Sequence, residues 1–418
     1  MFLKFYNLLL IIFLPLIFIF FAMRFFFSKE TSQSVFEKFF FLKKHRPNGK
    51  LIWINGVSIG EAKSGLTIAK EFLVNKPNCN ILFSTSTISA YREMLKQKEQ
   101  LILVYLPIDF RFLIKRFIKY WKPDLTIFME SEIWPNIINE LHNKKLRFTI
   151  VNGRMSDKSF FWWKSLNFFT RPMFSKISSC TTQDEISKNR FKKLGVKNVD
   201  CSSNIKFLSK KLSFEKKDHL SFKKKLGKKT VITFFSTHKN EEMIIIDCFD
   251  ILSKTFKNLL FIIIPRHLKS SYGIEKNLRK KKYSFGIRSL KENLIKKHNF
   301  YIADTFGELG LFFSLSKISI VGGSFSDRGG HNPIEASYFN CAVIFGPNMK
   351  NFIEIKKKII QTNSGFQVNN SYELADKITA LLKDKTLIKN TLNNFNNLRI
   401  KEAKKVKKLI KKECEKIQ

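Results

Sequence analysis

The sequence predicts an α/β protein made of two Rossmann-like halves behind an apolar N-terminal segment. Three observations carry that prediction. Short β-branched and aromatic runs alternate with helical patterns along residues 51–154, the alternation restarts at residue 231, and a lysine-rich stretch at 209–229 separates the two series. Strands alternating with helices over such lengths imply parallel sheets covered by helices on both faces. At 418 residues the chain is long enough for two such cores.

The first half opens with the buried-strand run at 51–55, followed by Gly56, a loop to Gly60 and a helical pattern to about residue 73. Further strands are expected at 81–87, 101–107, 124–130 and 147–154, with a helix from about Ser89. The glycines at 56, 60 and 65 do not form G-x-G-x-x-G, which argues against a dinucleotide enzyme. After the presumed linker at 209–229 come strands at 231–237 and 259–267, then a strand-to-helix stretch at 299–310. The most informative stretch is 318–347, where two β-branched runs flank Gly322, Gly323, Gly329 and Gly330 and the segment Asn332-Pro333-Ile334-Glu335. Asn332 reads as an N-cap, Pro333 as the first helical position and Glu335 as a carboxylate folding back onto the cap. A glycine loop feeding a helix start offers N–H groups to an anion. The chain closes in a lysine-rich helical pattern from 382 to 417, expected to break at the Asn-Asn-Phe-Asn-Asn run, whose last helices have room to pack back on the first half.

Residues 5–23 are apolar apart from Asn7 and Pro15, just long enough to span a bilayer. No small-residue cleavage site follows, and the basic residues after the run place the bulk of the chain on the cytoplasmic side. The expected organisation is a membrane anchor at 1–28, a first domain at 29–208 and a second at 209–418. In-plane insertion of the apolar segment is the alternative.

The balance of 75 Lys+Arg against 34 Asp+Glu, a net +41, points to anionic partners. The excess is spread along the chain, and no nucleic-acid motif accompanies it, so nucleic acid is not an expected partner. The six cysteines are scattered without C-x-x-C, and the seven histidines lack metal-ligand spacing, so neither disulfide framework nor metal is expected.

Several residues have chemistry that packing does not require. Glu61 follows the first strand at a helix start. It is either a general base or an acid complementing the helix dipole. Glu130 and Glu132 end the fourth strand, where they hold each other's protonation state, bind sugar hydroxyls or pair with Arg154. Lys206 either reaches a phosphate or is one more solvated charge. Arg266 is delivered by a buried run to the carboxyl edge of the second sheet, and Arg328, His331 and Glu335 crowd the glycine loop.

Taken together, the segments 57–61, 129–136, 151–156, 203–206, 236–238, 265–267, 304–309 and the 322–347 stretch resemble the lipopolysaccharide 3-deoxy-D-manno-octulosonic acid (Kdo) transferases. The likeness is colinear over nearly the whole chain. The R-G-G-H-N-P-x-E and E-x-E-x-W-P-N elements are its specific parts. The resemblance implies the GT-B fold, two Rossmann-like domains facing a cleft. It also implies an inverting transfer of Kdo from CMP-Kdo to a lipid A precursor, with no cofactor, at the inner membrane. By that resemblance Glu61 is the general base, while Glu130 or Glu132 with Lys206 stabilises the transition state. Pro265, Arg266, Phe306, Gly307, Glu308, Asn332, Pro333, Ile334 and Glu335 would bind CMP. The chain departs from the family at Asn55-Gly56, Phe306 and Ala336, positions that touch sub-site shape. A GT-B transferase with a different nucleotide sugar, or a basic membrane-tethered polyanion binder, are the alternatives.

Overall fold

The structure is a computed structural model, described over residues 2–41, 44–97, 101–290 and 297–415. The chain divides into two compact units, one formed by Met1–Leu208 with Glu402–Gln418, the other by Ser209–Lys401.

The first unit holds a seven-stranded parallel sheet of β1 (Leu51–Asn55), β2 (Asn80–Thr85), β3 (Ile102–Tyr105), β4 (Leu125–Met129), β5 (Arg147–Gly153), β6 (Ser179–Thr182) and β7 (Val199–Cys201), in the order β3-β2-β1-β4-β5-β6-β7. Its central strands β1 and β4 are mostly apolar because both faces are covered. Leu51 and Trp53 enter the core on one face with Phe117, Phe128 and Phe148, while Ile52 and Ile54 enter the other with Ile127 and Met129. Val406, Ile410 and Cys414 of the last helix join this second core.

The second unit repeats the plan with β8 (Thr230–Thr237), β9 (Leu259–Pro265), β10 (Phe285–Ile287), β11 (Phe300–Ile302), β12 (Ile318–Val321), β13 (Ala342–Phe345) and β14 (Gly365–Gln367), ordered β10-β11-β9-β8-β12-β13-β14 and again all parallel.

Several expectations are corrected. The strands β6, β7, β10 and β14 are absent from the sequence reading, being only three or four residues long and either polar or at the sheet edges. The presumed linker contains a helix, Lys216–Leu226, because Phe222 and Leu226 are buried, Phe222 against Tyr301 and Phe312. The final helix, Lys385–Glu415, runs unbroken through the asparagines, since Phe395 (2% exposed) and Leu398 (5%) keep its apolar face buried.

The N-terminal segment is not one straight helix. It forms α1 (Phe2–Ile12) and α2 (Leu14–Phe26), bent by 57°. Pro15 has no N–H to continue the ladder of α1, which places the break there. Among the described residues no single helix is long and apolar enough to cross a membrane, although the bent pair meets that length and composition together. Phe2, Leu10, Leu14 and Ile17 pack against the first unit's core, while Phe5, Leu8, Ile11, Ile12, Phe18 and Ile19 stay exposed.

Candidate functional site

Each sheet changes winding direction once, between β1 and β4 in the first unit and between β8 and β12 in the second. In open parallel sheets, ligands sit outside the carboxyl ends of the strands at such a point. The predicted site residues fall at both.

In the first unit the loop after β1 turns straight into the Ile59–Asn75 helix. A Cβ on Gly56 would lie 2.8 Å from the Ala62 nitrogen, so this glycine is demanded by the helix start folding over it, without any ligand. Ser58 caps the helix, and the Val57 and Ser58 N–H groups donate to Glu61 Oε2 at 2.8 and 2.9 Å. The capping role is therefore real, and it also fixes the carboxylate. Glu61 Oε1 makes no hydrogen bond among the described residues.

Glu130 directly follows β4, with a left-handed φ of 56°, a conformation costly for a residue with a side chain. Its N–H donates to Val151 O at 3.1 Å. Burial raises its carboxyl above the ordinary range, opposed by the charge of Lys206 and reinforced by that of Glu61, with Arg154 also pulling it down. Burial, then the charge of Glu61, pushes Glu132 up to about 7, although its Oε2 accepts the Trp134 indole N–H at 2.8 Å. Glu61, Glu130 and Glu132 thus form one carboxylate cluster, with Lys206 and Arg154 as its cations. Lys206 sits in the short helical turn Ile205–Leu208. Asn152 Oδ1 accepts the Ile205 N–H at 3.2 Å and Asn204 Oδ1 the Lys206 N–H at 3.0 Å, so two asparagines set where the lysine stands.

In the second unit a buried carboxylate at the cap of the helix Glu242–Ser253 organises both loops. Glu241, 2% exposed, accepts the N–H groups of His238 (2.9 Å), Gly323 (2.8 Å) and Phe325 (3.0 Å), tying the loop after β8 to the loop after β12. Gly322 permits the approach, because a Cβ there would lie 2.4 Å from Ser236 O. The loops bring the Nε2 atoms of His238 and His331 to 2.9 Å, their rings nearly parallel, with His267 edge-on to His238 at 5.8 Å. Burial, then the charge of Arg266, lowers His331 to about 4; burial and the neighbouring His267, Arg328 and Arg266 lower His238. Arg266 and Arg328 are exposed beside these rings, and Pro265 is the buried last residue of β9. Two fixed cations next to neutral histidines make this edge suited to a phosphate.

The predicted helix start is smaller than expected. Only Ile334–Ser337 is helical, a single turn with Pro333 at its cap, and both Pro333 and Ile334 are buried. Asn332 Oδ1 accepts the Ile334 N–H at 3.2 Å, but the Glu335 carboxylate accepts from the Asn332 side-chain amide (3.1 Å) instead of closing a capping box on backbone. Glu308 is held by Arg288 through both carboxylate oxygens and also accepts from the Thr305 hydroxyl. Phe306 is 78% exposed, and Gly307 has a left-handed φ of 86° with open space where a side chain would stand. All these loops lie at the carboxyl edge of the second sheet. Glu241, the His238–His331 pair and Arg288 are what sequence reasoning missed.

Residues 33–209 match a family model described as 3-deoxy-D-manno-octulosonic-acid transferase. The chain is 35% identical over 381 residues to a 3-deoxy-D-manno-octulosonic acid transferase of Rickettsia bellii, covering 91% of this chain and 90% of that protein. It is 31% identical to the Haemophilus influenzae protein of the same name, covering 91% of each. Among solved structures, a glycosyltransferase from Rickettsia africae shares the fold, with a TM-score of 0.61 at 12% identity over 89% of this chain and 99% of the other. The chain is a GT-B glycosyltransferase and belongs to the 3-deoxy-D-manno-octulosonic acid (Kdo) transferase family.

Proposed function

We propose that the protein transfers Kdo from CMP-Kdo to a lipid A precursor, by a single displacement that inverts the anomeric carbon. The observation that carries this reading is the complementary chemistry at the two switch points: a carboxylate cluster with Lys206 in one unit, and Arg266 and Arg328 beside neutral histidines in the other. Glu61, its Oε2 anchored by two N–H groups, takes the acceptor hydroxyl proton through Oε1. The hydroxyl oxygen bonds to the anomeric carbon as the bond to the cytidine phosphate breaks. Lys206 with Glu130 or Glu132 stabilises charge in that transition state. Pro265-Arg266, Phe306-Gly307-Glu308 and Asn332-Pro333-Ile334-Glu335 hold CMP, with Glu308 acting through its backbone because Arg288 occupies its carboxylate.

The enzyme works at the cytoplasmic face of the inner membrane, with the exposed apolar faces of α1 and α2 lying in the membrane surface. Their inner faces are taken by the first unit's core, as in-plane helices require. Arg24, Lys29 and the chain's net +41 favour anionic lipid. Purified enzyme given CMP-Kdo and a tetraacylated lipid A precursor should yield Kdo-bearing lipid by mass spectrometry and consume no UDP-sugar. Consumption of a UDP-sugar with CMP-Kdo left intact would overturn the assignment.

A further inference from the structure

Two residues interrupt the apolar N-terminal segment, Asn7 and Pro15. Pro15 accounts for the bend, and Asn7 has a partner far along the chain. Its side-chain amide donates to Asn136 Oδ1 at 3.1 Å and accepts from Asn136 Nδ2 at 2.8 Å, a reciprocal amide pair. Beside it, the Tyr6 hydroxyl donates to Asp109 Oδ2 at 3.1 Å. Asp109 is 2% exposed, and its carboxylate accepts the N–H groups of Asn136 (3.0 Å) and Ile137 (3.1 Å) in the first turn of the Pro135–Asn143 helix. Asn136, fully buried, also donates to Asp109 O at 2.5 Å. That helix starts directly after Trp134, whose indole holds Glu132. A segment that only attaches a protein to lipid gains nothing from polar partners at defined positions. A fully joined polar network fixes one arrangement over its neighbours.

We infer that α1 is a positioning element of the transfer reaction as well as a membrane contact. Tyr6 and Asn7 fix the start of the Pro135–Asn143 helix through Asp109 and Asn136, and that start sets the loop bearing Glu130 and Glu132. The inference rests on the reading above, that these carboxylates serve the transfer.

The test uses the full-length enzyme in detergent micelles with CMP-Kdo and the tetraacylated precursor, where recruitment to a bilayer does not limit the rate. Wild-type turnover comes first; its absence would defeat the functional reading rather than this inference. Tyr6→Phe and Asn7→Leu make the segment more apolar, so both variants should still float with anionic phospholipid vesicles. Each should lower kcat about tenfold, the scale expected of small misplacements in a reacting site, with KM for CMP-Kdo unchanged. An Asn7→Leu/Asn136→Leu double variant should be no slower than the slower single one, because both remove the same link. Should Asn136→Leu fail to fold, the near-isosteric Tyr6→Phe carries the test. Unchanged kcat in Tyr6→Phe and Asn7→Leu, or losses of kcat that only follow lost flotation, would overturn the inference.

Discussion

The imidazoles of His238 and His331 meet end to end, 6° from parallel with ring centres 5.2 Å apart and their Nε2 atoms 2.9 Å from each other. One ring must donate and the other accept, so the pair requires an unprotonated nitrogen facing a protonated one. The loops meet in this way because Glu241 gathers their N–H groups from below.

The pair sets a pH dependence of stability. His331 is held down to about 4 in the folded protein, against about 6.5 unfolded. The unfolded chain therefore binds more protons between those values. The stabilisation is present above about pH 6.5 and is lost as pH falls toward 4. Allowing for its partial exposure, His331→Gln should flatten the stability curve in that window by on the order of 2 kcal/mol. Chemical denaturation at pH 4.5 and 7.5 checks this; equal pH slopes in wild type and variant would contradict it.

Glu132 carries the opposite sign. Its folded value of about 7 lies above that of a free carboxyl, so its contribution to stability is full at low pH and is lost as pH rises through 7. Glu132→Gln should raise the melting temperature at pH 8, by the equivalent of about 1–3 kcal/mol, while lowering turnover. A variant destabilised at pH 8 would show that the carboxylate is structural.

Glu241→Gln puts an amide NH2 where three N–H groups converge. It should cost about 2–3 kcal/mol of stability and weaken CMP binding, since both loops of the second unit lose their tie. Calorimetric titration of CMP into the variant measures it, and undiminished affinity would separate Glu241 from the site.

Arg266→Ala should weaken CMP binding tenfold or more, the order of one charge-assisted phosphate contact. Arg279→Ala, paired with Glu275 on the helix Ser271–Lys280, should leave affinity unchanged.

Much of this was legible in the sequence for a physical reason. Runs such as 51–54 and Leu259–Pro265 are apolar throughout because both sheet faces are covered, and that pattern places the residues after each run at the ligand edge. Glu61, Glu130 and Arg266 were visible that way. The short polar strand Ser179–Thr182 was not, since SCTT has no apolar period to read. The reach of Glu241 to Gly323 spans 82 positions and that of Asn7 to Asn136 spans 129, and no local pattern encodes either. In the apolar segment Asn7 reads only as a flaw until its partner is in view.

As the proposed base, Glu61 is held by the Val57 and Ser58 N–H groups at a helix start that the Ser58 hydroxyl caps. The most direct measurement compares wild type with Glu61→Gln, following Kdo transfer by mass spectrometry and CMP binding by titration on the same preparations. Transfer should be abolished with CMP affinity intact; sustained turnover by the variant would show that Glu61 is not the base.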